Sequence, residues 1–373
     1  MEIKSLRNVS VIIGFKNTPG KSDVDFINSQ GGVIKRRYRI INAISADVPQ
    51  ESMDIIAKSP NVEYIEIDEK VFAHAQIGTC QPVQVLKQTI PWGIERIGSR
   101  LVNAVGNTGK GIKIGILDTG IDYNHEDLKS NYRGGYNFVG NNSNAIDDNG
   151  HGTHVAGIVA AEDNDIGVVG VAPGAYLYSV KVLAFDSTGS TSDIVSGLEW
   201  SIDNGMQIIN MSLGSEDDSM SVSRAINNTY NAGILIVAAA GNSGNAVGKG
   251  ENIDFPAKYN SVISVGATDK NDKRANFSST GPTLEISAPG VGILSTLNGG
   301  RNRYGTLSGT SMSCPHVTGV AALIMSAEQG ITNTRVRIRM QTTAQNMSNV
   351  SKGFSSKDWY GYGLVDAVKS VSI

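Results

Sequence analysis

The first seventy residues alternate short apolar runs with short amphipathic ones. Val9–Phe15, Ile40–Val48 and Val62–Ile67 read as strands, and Ser22–Gln30 and Gln50–Ser59 as helices between them. That order suits a small α+β domain of the split βαβ, ferredoxin-like type. The basic run Lys35-Arg36-Arg37-Tyr38-Arg39 reads as a solvated turn. Phe72 to Pro91 has little periodicity, and its small and polar residues fit an extended linker peptide. From Gly111 the pattern changes. Ile112–Leu117, Tyr176–Leu183, Gln207–Leu213, Ile234–Ala240 and Ser261–Ala267 are apolar strand candidates. His151–Ala161, Ser190–Asn204, Ser219–Asn231 and a long segment from near Ser311 are helix candidates. The alternation predicts an α/β domain: a mostly parallel sheet with helices on both faces.

Composition narrows the function classes. Lys and Arg number 32 and Asp and Glu 35, a net charge of −3, which removes the basic surface that nucleic-acid binding needs. The longest apolar stretch, Ile234–Ala240, is far short of the roughly 20 residues of a membrane helix, so no membrane span is expected. Glycine is abundant, 43 of 373 residues, whereas proline is scarce at 10, which points to tight turns and close backbone approaches rather than disorder. Two cysteines, Cys80 and Cys314, cannot form a disulfide framework; a single bridge between them is the less favoured reading.

Three segments carry candidate chemistry. Asp118, in Leu117-Asp118-Thr119-Gly120, ends a strand, where open α/β sheets place catalytic groups; alone it would equally suit a turn cap. His151 and His154 fall in Asn149-Gly150-His151-Gly152-Thr153-His154, two of only five histidines. Their spacing of three, without the adjacent Glu, does not match the zincin arrangement. Ser311, in Gly309-Thr310-Ser311-Met312-Ser313-Cys314-Pro315-His316, enters a helix where N–H groups and the dipole favour a developing anion. A plain N-cap is the bland alternative. Pro315 reads as a first-turn proline that costs the helix little. Gly109-Lys110-Gly111 precedes its strand and lacks a third glycine, so it is no dinucleotide loop. No Gly-x-Ser-x-Gly surrounds Ser311, so a lipase-type elbow is unsupported.

Taken together, Asp118, His151 and Ser311 with these flanks resemble the subtilisin-like serine proteases. Ala239-Ala240-Gly241-Asn242 matches the family's oxyanion asparagine segment, and Asn210-Met211-Ser212-Leu213-Gly214 its substrate-binding strand. The resemblance runs from about Pro91 to the end of the chain. It implies a serine endopeptidase of broad specificity. Ser311 would be the nucleophile, His151 the base, Asp118 its orienting partner and Asn242 an oxyanion donor. Ser187-Thr188-Gly189 and Ser212-Leu213-Gly214 would flank an extended peptide, with Ala239, Ala240 and Gly241 walling the P1 pocket. Asp254 aligns near the pocket floor. It would admit basic P1 residues, although an ordinary solvated loop aspartate is the favoured alternative.

The resemblance also implies a structural Ca²⁺ held by Gln88, Asp127 and Asn164 side chains with the carbonyls of Glu162, Ile166 and Val168. Asp147-Asp148 is left open as a further ion site. Residues 1–76 would be a propeptide that assists folding and inhibits, with self-cleavage near Gln76, between His74 and Ile77, and residues 77–373 the catalytic domain. Protein and peptide substrates, the chain's own propeptide as inhibitor, and a monomer are the expected partners and state. A long propeptide favours an extracellular enzyme, while the lack of a signal-like apolar core in Met1–Arg7 leaves a cytoplasmic one as the alternative. A catalytically silent binding protein on the same scaffold is the competing class; four intact chemical residues argue against it.

Overall fold

The computed structural model describes residues 8–74, 82–83, 85, 87–347 and 356–372. Its first unit is a four-stranded antiparallel sheet built from β1 (Asn8–Phe15), β2 (Val33–Tyr38), β3 (Ala43–Pro49) and β4 (Val62–Ile67), in the order β2-β3-β1-β4. The helices Lys21–Ser29 (α1) and Met53–Ala57 (α2) complete the ferredoxin-like pattern. Strand alternation gives the sheet two apolar faces. Val11, Ile13 and Phe15 join Ile27, Ile44 and Ile56 in the unit's own core. Ile12, Tyr38 and Ala43 instead enter a core shared with the second unit, beside Leu198, Val222 and Ile226.

Lys35–Tyr38 of the basic run lie in β2 rather than in the expected turn, and only Arg39 enters the turn that follows. The strand pairs with β3 and Lys35 with Asp47 in the same unit, while Arg36 lies 2.5 Å from Asp193 and Arg39 2.5 Å from Asp203, on a helix more than 150 residues away. After β4 the chain makes one more strand, β5 (Lys70–Ala73).

The second unit is a seven-stranded parallel sheet. Its strands in chain order are β6 (Lys113–Asp118), β7 (Tyr132–Asn137), β8 (Tyr176–Lys181), β10 (Ile208–Met211), β12 (Leu235–Ala239), β13 (Ile263–Thr268) and β14 (Ile286–Pro289). They are arranged β14-β13-β12-β10-β6-β8-β7. The two edges, β7 with its paired glycines and β14 ending in proline, lack the apolar runs of the centre and were not expected from the pattern. Edge strands tolerate both residue types. Two short strands, β9 (Thr188–Ser190) and β11 (Leu213–Gly214), stand outside this sheet.

The helices around the site are α3 (His151–Ala160), α4 (Thr191–Asp203), α5 (Met220–Asn231) and α6 (Thr310–Ala327). Helix α6 is buried on every side from Thr310 to Met325, as a central helix that is apolar all round must be. Pro315 is its sixth residue, not part of the first turn as expected. A proline there removes the N–H that would bond the carbonyl four residues back, that of Ser311. The Ser212 hydroxyl takes that carbonyl instead, at 2.9 Å.

Candidate active site

The central strands deliver their carboxyl ends to one edge of the sheet, and the candidate residues gather there. Asp118 ends β6, and α3 begins at His151 against it. The close approach depends on Gly152, where a Cβ would sit 2.1 Å from the Gly120 carbonyl oxygen and 3.2 Å from the Asp118 Cβ. His151 Nδ1 lies 2.7 Å from Asp118 Oδ1. Burial works against the imidazolium, but the Asp118 charge and hydrogen bond outweigh it and hold the His151 pKa above the ordinary histidine value. Nε2 of the same ring is buried without a partner. Such an unsatisfied group costs about 1–3 kcal/mol and marks a place kept for chemistry.

Ser311 is the second residue of α6. Its Oγ donates to the Ser212 carbonyl at 3.0 Å, and the Ser212 Oγ donates back to the Ser311 carbonyl at 2.9 Å. The two serines are therefore reciprocally bonded, and no hydrogen bond joins Ser311 to His151. Asn242 is held by Thr310, whose N–H and hydroxyl donate to its Oδ1 at 3.0 and 3.1 Å.

The groove beside these residues is filled by the end of the first unit. β5 lies antiparallel between β9 and β11 as the middle of a three-stranded sheet. Thr188 faces Phe72 and Gly189 faces Val71 on one side, and Leu213 faces Ala73 on the other. Ala73 N–H donates to Ser187 O at 3.1 Å and His74 N–H to Ser212 O at 3.2 Å. All six expected flanking residues thus meet one extended peptide. The Asn242 side-chain amide donates to the His74 carbonyl oxygen at 2.6 Å.

Residues 109–363 match the subtilase family, peptidase S8. The chain belongs to the subtilase family. Subtilisin E of Bacillus subtilis (strain 168) is 40% identical over 368 residues, covering 97% of this chain and 90% of that protein. Alkaline elastase YaB of Bacillus sp. (strain YaB) is 43% identical over 330 residues, 88% of this chain and 79% of its own. The thermostable alkaline protease of Halalkalibacterium halodurans is 43% identical over 345 residues, covering 92% and 85%. The chain is a subtilisin-type serine endopeptidase.

In this subtilase the first unit is fastened to helix N-termini, where anions are favoured. Glu66 accepts from the Ser219 hydroxyl and the N–H groups of Met220 and Ser221, at 2.8, 2.9 and 3.1 Å. Asp68 accepts from Ser192 N–H and Oγ and from Thr191 Oγ1, at 2.8, 2.7 and 2.9 Å. The sequence reading missed both carboxylates; their only local signal is the acidic alternation Glu63-Tyr64-Ile65-Glu66-Ile67-Asp68.

Ala239, Ala240 and Gly241, expected to wall the P1 pocket, are buried. The cleft next to Asn242 is lined by Gly214, Ser215, Glu216, Asp217, Ser243 and Asp254. Asp254 is only 6% exposed, so it is not the solvated loop residue that the sequence favoured.

Asp127 is fully buried, and its carboxyl accepts from Asn164 Nδ2 at 3.1 Å, from Val168 N–H at 2.9 Å and from the Tyr304 hydroxyl. All three partners are neutral, and burial pushes the Asp127 carboxyl up. Gln88 reaches the same loop, its Nε2 donating to Glu162 O at 2.9 Å. The second acidic pair is otherwise engaged. Asp147 accepts from Thr119, Asn149, Gly150 and Thr153, and Asp148 pairs with buried Lys181 at 2.7 Å. His154 turns away from the centre, its Nε2 within 3.0 Å of Ile293 O and 3.1 Å of Gly305 O. Cys314 is a free buried thiol beside Asn210, and Cys80 lies outside the described residues. No helix among the described residues is long and apolar enough to cross a membrane.

Proposed function

We propose that the chain is a self-processing zymogen in which Ser311, His151, Asp118 and Asn242 cleave the peptide bond between His74 and Ala75. The observation that carries this is the Asn242 amide on the His74 carbonyl at 2.6 Å, with the preceding residues held as a strand in the groove. A carbonyl held by this amide is presented as an acyl group under attack would be. His151 Nε2 takes the Ser311 proton as Oγ bonds to the carbonyl carbon. Asn242 and the Ser311 N–H hold the resulting oxyanion. His151 then returns the proton to the leaving amine, and water releases the acyl-enzyme by the same route. Asp118 fixes the ring tautomer and stabilises the imidazolium.

Residues up to His74 then form the propeptide, two residues shorter than the boundary at Gln76 expected from sequence. The cut tail remains in the groove as a product and inhibits. The released enzyme, read as an extracellular monomer, takes other polypeptides as strands between Ser187-Thr188-Gly189 and Ser212-Leu213-Gly214.

The donor set around Asp127 fits a Ca²⁺. A buried carboxylate, two amides able to turn their oxygens inward and the Glu162, Ile166 and Val168 carbonyls are all hard oxygen ligands. A bound ion would neutralise Asp127 and fasten residues 162–168 to Gln88.

The test is to treat the purified chain with a fluorophosphonate and map the adduct and the new N-terminus by mass spectrometry. An adduct on Ser311 and an N-terminus at Ala75 are expected. Labelling on another residue overturns the mechanism, and a different N-terminus overturns the processing site.

A further inference from the structure

The cleft next to Asn242 has a volume of about 440 Å³, and its charged lining groups are all acidic: Glu216, Asp217 and Asp254. His74 projects into it. Its Nε2 stands 3.3 Å from Asp254 Oδ2 without completing a hydrogen bond, and both side chains are about nine-tenths buried, at 10% and 8% exposure. Burial, with the nearby His151 charge, pushes the His74 pKa down to about 4, so the ring facing the carboxylate is neutral. Glycines shape the slot at both ends. A Cβ on Gly214 would fall 2.4 Å from His74 Nε2, and one on Gly241 would fall 2.4 Å from Asp254 Oδ2. A side chain passing the bare backbone at Gly214 reaches toward the carboxylate this way.

Asp254 is held rigidly at that depth. Its N–H donates to Ala240 O at 2.9 Å, and the next residue, Phe255, exchanges two 2.9 Å backbone bonds with Ser215. Among the described residues no side chain donates a hydrogen bond to the Asp254 carboxylate. A buried carboxylate without a donor is costly. Burial, with Glu216 adding like charge and Lys258 opposing it, pushes the Asp254 carboxyl up to about 6. The group is a buried acceptor facing the cleft, placed to receive a donor from whatever occupies it.

We propose that Asp254 sets the P1 preference of this protease toward histidine, and more weakly toward other side chains ending in a cationic or donor nitrogen, with His74 as its first such residue. The inference rests on the groove being the substrate cleft with His74 at P1. Imidazole places its distal nitrogen at the carboxylate directly. Lysine and arginine are longer and must fold to do so, whereas phenylalanine fills the slot but leaves Asp254 without a donor. A missing hydrogen-bond partner at a buried polar group is the strongest source of discrimination a pocket has.

The test uses enzyme processed from the full chain, with active sites counted by fluorophosphonate titration. Acetyl-Val-Phe-Ala-X-p-nitroanilides with X = His, Lys, Arg, Gln, Phe and Leu mirror the residues before the scissile bond. Expected is a kcat/KM at least ten-fold higher for His than for Phe, and a fall of five-fold or more in that ratio in Asp254→Asn. A smaller fall overturns the proposal, as does a wild-type ratio near one. If Ser311 still reacts in those cases, the endopeptidase reading stands. If it does not react at all, that reading has failed first. Should Asp254→Asn not fold, His74→Phe in the full chain reads the same contact: self-cleavage slowed at least five-fold supports the proposal, and an unchanged rate overturns it.

Discussion

Asp118 Oδ1 and His151 Nδ1 stand 2.7 Å apart, and this contact sets the acid limit of the enzyme. The base works through a neutral Nε2, so activity falls as His151 takes up a proton. Burial alone would lower its pKa, but Asp118 raises it on balance. The acid limb of kcat against pH is therefore expected to have its midpoint above the ordinary value of about 6.5. Asp118→Asn should move the midpoint down and reduce the rate. A wild-type midpoint below the ordinary value would contradict the assignment.

Asn242 both donates to the His74 carbonyl and is held by Thr310. Asn242→Leu keeps the bulk and loses the donor. The loss known for this asparagine in a subtilisin, about 10²–10³-fold in kcat, is carried over as the expected size. Steady-state kinetics should show it in kcat rather than KM.

Ser212→Ala removes the hydroxyl that replaces the missing Pro315 N–H at the Ser311 carbonyl. A buried carbonyl left without a donor costs about 1–3 kcal/mol, which should appear in chemical denaturation. Because the same peptide unit carries the nucleophile, kcat should also fall, by about ten-fold for each 1.4 kcal/mol that reaches the transition state. A kcat equal to wild type would show that the backbone holds its place without this bond.

Glu66→Ala and Asp68→Ala each remove an anion from a helix N-terminus together with three hydrogen bonds. Bonds to charged groups contribute about 1.5–3 kcal/mol each at most, so propeptide release should quicken by at least ten-fold. The lag before activity appears after self-cleavage measures this, and an unchanged lag would contradict it.

Chelation should lower the melting temperature by roughly ten degrees or more, since a ligand lost from the native state alone destabilises it. Asp127→Asn should abolish most of the difference between chelated and calcium-supplied samples in calorimetry. A chelator-insensitive wild type would argue against the ion.

The central elements were legible because their signals are local. The apolar runs Ile234–Ala240 and Val62–Ile67 and the helical spacing after Ser190 lie within a residue or two of the observed elements. Elements defined by distant partners were not. Arg36 in β2 pairs with Asp193, and Glu66 and Asp68 depend on helix starts more than 120 residues away. The displaced cleavage boundary has the same origin. Register in the groove is set by pairing of Phe72 and Ala73 with Gly214 and Leu213, which no spacing along the tail records. Pro315 lies past the first turn whether the helix starts at Ser311, as expected, or at Thr310, as observed, so its cost to the backbone follows from counting along the helix rather than from its sequence signal.

Between β4 and β5 the chain has only Asp68 and Glu69 as a tether. While the His74–Ala75 bond is intact, the inhibitor is joined at both ends, to its own unit and to the enzyme, and its effective concentration does not depend on how much protein is present. Cutting that bond turns the same contacts into an ordinary two-body equilibrium. On the proposed cleavage, dilution would act as the activator: the same preparation would be silent when concentrated and active when spread thin.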